Sequence, residues 1–284
     1  MIRLSAFADE GGVTLAEQID ALKKNGICLT ELRSIDKKNI KKVTADEAKL
    51  YKAELDDAGI GVSAIGSPLG KVNISVDMSE YEKEIRHVCE LALIFGTDKV
   101  RMFSFFEAYS ERETVIEKLS RMVEIGKEYG VLMCHENEKG IYGDTAERVL
   151  DIYNSVKGLV FVYDPANYLQ VGEPSEKTLA ATFKISDYFH IKDVITETGE
   201  LVPAGMGDGQ IAKMLGMIST DTVATVEPHL RVFAGYSEID GEAMKNRFSY
   251  GSNREAFDAA VKAFRELLVA NGYKETEKGS FERV

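Results

Sequence analysis

The sequence predicts one eight-stranded parallel (β/α)₈ barrel, the TIM-barrel fold, as a single domain over residues 1–284. Short apolar runs alternate with amphipathic segments along the whole chain, and such alternation produces parallel βαβ units. The length of 284 residues is close to that of one closed barrel. No GxGxxG motif follows the first strand, which counts against an open dinucleotide-binding sheet.

Each strand candidate is a short apolar run of four to six residues. Helix candidates lie between them and often end at a glycine, as at Asn25-Gly26, which is typical of a helix C-terminus. The strand candidates are Ile2–Ala6, Cys28–Arg33, Gly61–Ile65, Lys99–Phe103, Val131–Glu136, Leu159–Asp164, Tyr188–Ile191 and Thr222–Glu227. The helix candidates are Thr14–Lys24, Ala45–Ala58, Glu80–Phe95, Arg112–Tyr129, Thr145–Ser155 and Arg254–Asn271.

Three segments fit this alternation less well. Ala166–Thr182 has a weak helical pattern, and Arg231–Ser252 is a long polar stretch that we expect at the barrel rim. The charged tail Lys274–Val284 is expected to be frayed.

The composition excludes several classes of partner. Lys and Arg number 35 against 47 Asp and Glu, a formal charge of −12, so neither nucleic acid nor an anionic membrane is an expected partner. The three cysteines are scattered without CxxC spacing, which favours reduced thiols and a cytoplasmic protein. No signal peptide is evident and no apolar run reaches 18 residues, so we expect no membrane span.

Metal-competent side chains end the last four strand candidates: Glu136, Asp164, His190 and Glu227. Side chains alternate along a strand with period two, so the acids share the barrel-facing side with the apolar residues before them. The carboxyl ends of barrel strands meet at the catalytic face. Three carboxylates that close repel one another unless a cation lies among them. This predicts one divalent metal, with Mn²⁺ preferred and Mg²⁺, Co²⁺ or Zn²⁺ open, although each acid alone could be a solvated group or a helix cap.

The motifs around these residues resemble those of the xylose isomerase-like TIM barrels, which include sugar phosphate isomerases and epimerases, ketose 3-epimerases and inosose dehydratases. They read Met-Cys-His-Glu-Asn-Glu, Val-Tyr-Asp-Pro-Ala-Asn, His-Ile-Lys-Asp with a following PxGxG turn, and Thr-Val-Glu-Pro-His. The resemblance extends from Ile2 to about Gly272. It implies that the quartet Glu136, Asp164, His190 and Glu227 holds one metal and that the two glutamates are the catalytic acid and base. Unlike many ketose epimerases, this chain has Asn167 where a histidine is common.

Six further residues are candidates for substrate binding. Lys192 shares the parity of His190, and His229 shares that of Glu227. Cationic residues at the rim would suit an anionic substrate, and the glycine turn Gly205–Gly209 could cradle an anion with its N–H groups. The candidates are Lys192, Asn167, His229, Arg33, Lys71 and Glu138.

The sequence therefore suggests a divalent-metal-dependent isomerase or epimerase of a sugar or sugar phosphate. In this hypothesis one glutamate removes a proton next to a carbonyl, the metal stabilises the enediolate, and the other glutamate returns the proton. Two alternatives stay open: a dehydratase of inosose or a related polyol ketone, and a non-catalytic sugar-binding barrel. The expected partner is a small-molecule sugar, and association into a homo-oligomer stays open.

Overall fold

The computed structural model describes residues 1–236 and 243–284. Eight parallel strands form the wall of a barrel, which confirms the predicted fold class. The strands are β1 (Ile2–Ala6), β2 (Leu29–Leu32), β3 (Gly61–Ile65), β4 (Lys99–Met102), β5 (Leu132–Glu136), β6 (Val160–Tyr163), β7 (Ser186–Ile191) and β8 (Thr222–Val226). Neighbours in the wall pair in the order β2-β3-β4-β5-β6-β7-β8-β1.

Helices pack outside this wall, and their ends follow local capping rules. Thr14 and Thr44 each form a capping box with the glutamate three residues on, which satisfies N–H groups of the first turn. The weakly patterned Ala166–Thr182 contains two short helices, because Pro174 interrupts any longer one. The helices are α1 (Leu15–Lys24), α2 (Ala45–Ala58), α3 (Met78–Phe95), α4 (Arg112–Glu128), α5 (Ala146–Ser155), α6 (Pro165–Gln170), α7 (Ser175–Thr182), α8 (Ile211–Met217) and α9 (Asn253–Ala270).

The C-terminal tail is ordered, so the expectation of a frayed end is wrong. It forms a hairpin of β9 (Tyr273–Glu277) and β10 (Ser280–Arg283), and β10 pairs antiparallel with β1 at Ile2 and Arg3. Side chains alternate between the two faces of β10, so the Phe281 side chain is buried although the tail is mostly charged. This buried ring anchors the hairpin on the barrel.

The seam between β1 and β2 is the one place where the described wall has no strand ladder. The Thr30 hydroxyl donates instead to the Ala6 carbonyl at 3.0 Å, and the hairpin pairs with the lower half of β1. The barrel is therefore curled but not closed by hydrogen bonds at every strand.

Loops at the carboxyl ends of the strands build the upper face. A short hairpin, Asp193–Ile195 with Glu200–Val202, follows β7. Residues 237–242 of the long polar stretch lie outside the described residues. Its return segment lies at the rim, where Leu201 N donates to the Lys245 carbonyl at 2.8 Å. No helix in the described ranges is long and apolar enough to cross a membrane.

Candidate metal centre and active site

The four metal-competent side chains predicted from the strand ends meet at one point. Glu136 ends β5, His190 is the last but one residue of β7, and Asp164 and Glu227 directly follow β6 and β8. Each offers one ligand atom, and these four atoms lie within 4.8 Å of one another. All four residues are at most 2% exposed, so the cluster is shielded from solvent.

His190 is the centre of this quartet. Its Nδ1 lies 2.9 Å from Glu136 Oε1 and 3.2 Å from Glu227 Oε2. On the other side of the ring, Nε2 lies 3.1 Å from Glu31 Oε2. Burial opposes a charge on the imidazole, but Glu136 and Glu31 together raise the pKa of His190 well above its usual range.

Glu136 has hydrogen-bond partners on both carboxylate oxygens. Arg101 Nη1 donates to Oε2 at 3.1 Å, and Asn167 Nδ2 donates to Oε1 at 3.2 Å. Burial alone would raise the pKa of Glu136, but His190 and Arg101 lower it to about 2. The Asn167 amide also donates to the Asn137 carbonyl, so in this state it orients Glu136.

Lys192 is buried beside Asp164 at the same point. Its Nζ lies 2.9 Å from Asp164 Oδ2 and 3.8 Å from Glu227 Oε2. The other oxygen of Asp164 accepts the Asn167 N–H and caps α6. Burial raises the pKa of Asp164 to about 7, although the Lys192 charge opposes that rise.

Arg33 lies on the opposite side of Glu227 and is bonded to three carboxylates. It makes a bidentate pair with Asp9 at 2.9 Å, and it donates to Glu10 at 3.1 Å and to Glu227 Oε1 at 2.8 Å. Burial raises the pKa of Glu10 to about 8 against the effect of Arg33. Glu10, Glu227 and His229 form a second group with metal-ligand spacing, and the Arg33 guanidinium lies among them as a resident cation.

Aromatic rings cover this side of the site. The Arg33 guanidinium is sandwiched between Phe7 and Phe233, with ring centroids 4.3 and 4.6 Å away. Phe233 and Tyr236 both pack on the His229 ring. These contacts exclude water from the carboxylates and strengthen their electrostatic interactions.

Lys71 and Glu138 form an ion pair with each other, at 2.9 Å. The Phe103 ring lies between Lys71 and Arg101, at 4.4 and 4.8 Å from their charged groups. The Phe103 ring therefore separates this ion pair from Arg101, which contacts the quartet. Of the six substrate-binding candidates, Lys192, Asn167, Arg33 and His229 surround the quartet, and the other two form this outer pair.

The glycine turn after β7 does not offer a free anion cradle. The Asp193 carboxylate accepts the N–H groups of Gly205, Gly207 and Gly209 at 2.9 to 3.0 Å. The chain's own carboxylate thus occupies the position expected for a ligand. The glycines are needed because a Cβ at Gly207 would lie 2.4 Å from that carboxylate.

Four polar residues of the site were not predicted: Asp9, Glu10, Glu31 and Asn137. The sequence predicts Arg101 only as one of several cationic residues at the rim. Glu31 and Arg101 share strand parity with the barrel interior, and an acid inside an apolar run is a recognisable signal. Asp9 and Glu10 lie in a short 3₁₀ helix, Ala8–Glu10, after β1, where period two gives no information. Asn137 exchanges two hydrogen bonds of 2.9 Å with the Asp164 backbone and joins β5 to β6.

The donor set fits a divalent metal ion. Buried acids outnumber permanent buried cations two to one, and without a further cation the charge is balanced through the raised pKa values of Glu10, Asp164 and His190. Glu227 Oε2 and Asp164 Oδ2 are buried and have only ion-pair contacts, with His190 Nδ1 at 3.2 Å and Lys192 Nζ at 2.9 Å, and mixed oxygen and imidazole donors suit divalent ions. The acids are Asp9, Glu10, Glu31, Glu136, Asp164 and Glu227, and the cations are Arg33, Arg101 and Lys192.

Solved structures with this fold are numerous. An L-ribulose 3-epimerase is 16% identical, with a TM-score of 0.74 over 95% of this chain and 96% of its own. The IOLI protein, solved with a bound zinc atom, is 18% identical, with a TM-score of 0.73 over 95% and 99%. AsbF of Bacillus anthracis, assigned as a 3-DHS dehydratase of petrobactin synthesis, is 15% identical, with a TM-score of 0.71 over 93% and 99%.

These identities show a shared fold alone. No curated protein sequence matches the chain significantly. The family model described as xylose isomerase-like TIM barrel matches residues 19–245, which is most of the chain and includes all four residues of the quartet. With the barrel and its strand-end cluster, this match shows that the chain belongs to the xylose isomerase-like TIM barrel family.

Proposed function

We propose that this chain is a metal-dependent enzyme that isomerises or epimerises a sugar, a sugar phosphate or a related polyol ketone. The observation that supports this most is the buried quartet, whose four donor atoms lie within 4.8 Å of one another. Glu136, Asp164, His190 and Glu227 would hold the ion, and Mn²⁺ is our first choice. When bound, the ion would polarise the substrate's carbonyl and neighbouring hydroxyl oxygens and make the proton between them easier to remove.

We assign the first proton transfer to Glu227 Oε2. The other oxygen of this carboxylate is held by Arg33 at 2.8 Å, whereas Oε2 has only the longer contacts with His190 Nδ1 at 3.2 Å and Lys192 Nζ at 3.8 Å. Burial opposes the charge of Glu227, but Lys192 and His190 hold its pKa well below the usual range, so the group is ionised at neutral pH. Glu136, whose two oxygens are oriented by Arg101 and Asn167, is the acid on the opposite face. Because His190 and Arg101 hold it ionised in the metal-free site, it first takes up a proton from solvent and gives that proton to the carbon, while Glu227 releases to solvent the proton that it removed.

Lys192 supports a second candidate, dehydration of a polyol ketone. Dehydration shares the proton abstraction and then requires an acid that protonates the departing hydroxyl. Lys192 is a buried ammonium group within 3.8 Å of Glu227 Oε2, which places a proton donor beside the proposed base. That AsbF is assigned as a dehydratase is compatible with this chemistry on the same fold.

Proton NMR in D₂O tests the proposal. The Mn²⁺-loaded protein is incubated with ketoses, ketose phosphates and inososes, and the metal is removed before recording. We expect deuterium at one carbon next to the carbonyl, no exchange after chelation, and exchange at least about 100-fold slower in Glu227→Gln. The exposed α3 variant Glu90→Gln should behave as wild type.

The products separate the candidates. A new epimer or isomer supports the first function, and an unsaturated or deoxygenated ketone supports dehydration. If the protein is verified to contain metal but exchanges no substrate, the enzymatic proposal is wrong and a non-catalytic sugar-binding barrel is favoured.

A further inference from the structure

Glu31 is a buried carboxylate inside the barrel that the proposed proton transfers do not use. It lies on β2 and is 1% exposed. Three donors converge on its two oxygens: Tyr188 Oη at 3.2 Å, Thr225 Oγ1 at 3.0 Å and His190 Nε2 at 3.1 Å. A buried acid with this many partners, one of them a residue of the quartet, has its orientation determined by β7 and β8.

A local irregularity places Glu31 at this depth. Thr30 pairs with Val62, but the next residue, Glu31, pairs with Ala64, so Ser63 is an extra residue in β3. The Ser63 hydroxyl donates to the Thr30 carbonyl at 3.2 Å and contacts Ser5 Oγ at 2.7 Å. Bulges of this kind redirect neighbouring side chains and are common next to functional sites.

We propose that Glu31 is a positioning residue that determines which nitrogen of His190 faces the metal. By accepting the Nε2 proton, Glu31 leaves Nδ1 directed at Glu136 and Glu227, 2.9 and 3.2 Å away. The hydrogen bond made by one ring nitrogen sets the role of the other, and such partners of metal-binding histidines tune metal affinity. This inference rests on the proposed function, because it concerns the same metal.

The rings around His190 support one fixed orientation. Phe7 packs against it edge to face at 5.2 Å, and Tyr188 does so at 5.6 Å. These rings restrict the tilt of the imidazole but cannot distinguish its two nitrogens. Only the polar partners do so, and Glu31 is the described partner on the Nε2 side.

Metal binding to Glu31→Gln tests the inference. Glutamine keeps the volume and one acceptor oxygen but loses the charge that strengthens the bond to Nε2–H. We expect the Kd for Mn²⁺, measured by isothermal titration calorimetry on metal-free protein, to rise about 10- to 100-fold. Thr178→Val is the control, because it removes buried hydrogen bonds of the Thr178 hydroxyl, to Tyr163 Oη and the Ser175 carbonyl, that involve neither Glu31 nor the quartet; its Kd should equal that of wild type.

The outcomes separate the two proposals. If wild type binds no metal, the proposed function is wrong and this inference falls with it. If wild type binds metal and Glu31→Gln binds it equally well, the proposed function stands and Glu31 is only structural. Melting of each variant in chelator verifies the fold, since a merely structural role would lower that Tm without changing the Kd of the folded fraction.

A spectroscopic measurement on protein that keeps Glu31 makes the test independent of the folding of Glu31→Gln. Protein labelled with ¹⁵N-histidine is loaded with ¹¹³Cd²⁺, and the His190 signal is assigned by its loss in His190→Asn. We expect the cadmium coupling on Nδ1 and the proton on Nε2. Cadmium coupled to Nε2 would overturn the inference.

Discussion

Arg33 illustrates how the tertiary structure changes the interpretation of a single residue. Its position after β2 predicts a cation for an anionic substrate, and that role stays a prediction. In the structure its donors go to Asp9, Glu10 and Glu227, and both faces are covered by aromatic rings. Its evident contribution is to neutralise these carboxylates and to orient Glu227.

We therefore expect Arg33→Met to destabilise the protein by about 3–5 kcal/mol, because it leaves buried carboxylates without a partner. Chemical denaturation of metal-free protein measures this change. Arg121→Met is the control: Arg121 pairs with Glu82 on the surface and is 37% exposed, so its loss should amount to less than about 1 kcal/mol. Equal losses in the two variants would show that the Arg33 cluster adds no stability.

The hairpin β9–β10 acts as an element of the barrel wall. It pairs with β1 beside the seam to β2 and buries Phe281. Phe281→Ala should lower the free energy of unfolding by about 3–5 kcal/mol, because it leaves a cavity under this edge. Phe248→Ala, at a residue 42% exposed, should change it by less than about 0.5 kcal/mol. Denaturant unfolding checks both, and a negligible effect at Phe281 would mean that the hairpin is dispensable.

Asp258 in α9 bonds to the residue that directly follows α1. Its pKa leads us to expect that the stability of the protein depends on pH. It accepts from Asn25 Nδ2 at 2.6 Å and from Arg254 Nε at 2.8 Å. Burial raises the pKa of Asp258, but the hydrogen bonds from these two partners outweigh burial and lower the pKa below its ordinary 3.8. A depressed folded-state pKa stabilises the protein above pH 3.8, and this contribution is lost as the pH falls through the lower folded value.

Asp258→Asn should therefore reduce stability at pH 6 and make it fall less steeply below pH 4. Unfolding free energies measured at several pH values would show this. Parallel pH profiles of wild type and variant would contradict the assigned ion pair. The exposed α2 variant Asp57→Asn should keep the wild-type profile.

Across the whole molecule, the quartet joins strands from the second half of the barrel, so its occupant should stabilise the fold. A ligand that binds only the folded state at 100 times its Kd adds about 2.7 kcal/mol, or a rise in Tm of about 5 °C for a chain of this size. Differential scanning calorimetry with and without Mn²⁺ measures it. Asp164→Asn should lose most of the rise, while Asp57→Asn keeps it; an unchanged Tm in wild type would exclude tight binding.

The sequence alone determined the barrel and the quartet. Both depend on local periodicity: helices and strands alternate in parallel βαβ units, and period two places Glu136, Asp164, His190 and Glu227 at the same end of adjacent strands. The family match and the structure confirm the fold, and the structure brings the four side chains together. Their role as ligands, like that of the substrate-binding candidates, stays a prediction.

Only the tertiary structure decided which charges meet across the barrel. Glu31 and His190 are 159 residues apart, and Arg33 and Glu227 are 194 apart. Such contacts depend on how the wall curls, on the bulge at Ser63 and on the hairpin that pairs with β1. The sequence likewise predicted that the N–H groups of the glycine turn could hold an anionic ligand. In the structure they are bonded to the Asp193 carboxylate, a contact that period two does not predict. Strand periodicity determines the side of the wall that a residue faces, but distances between side chains arise only when the whole sheet curls.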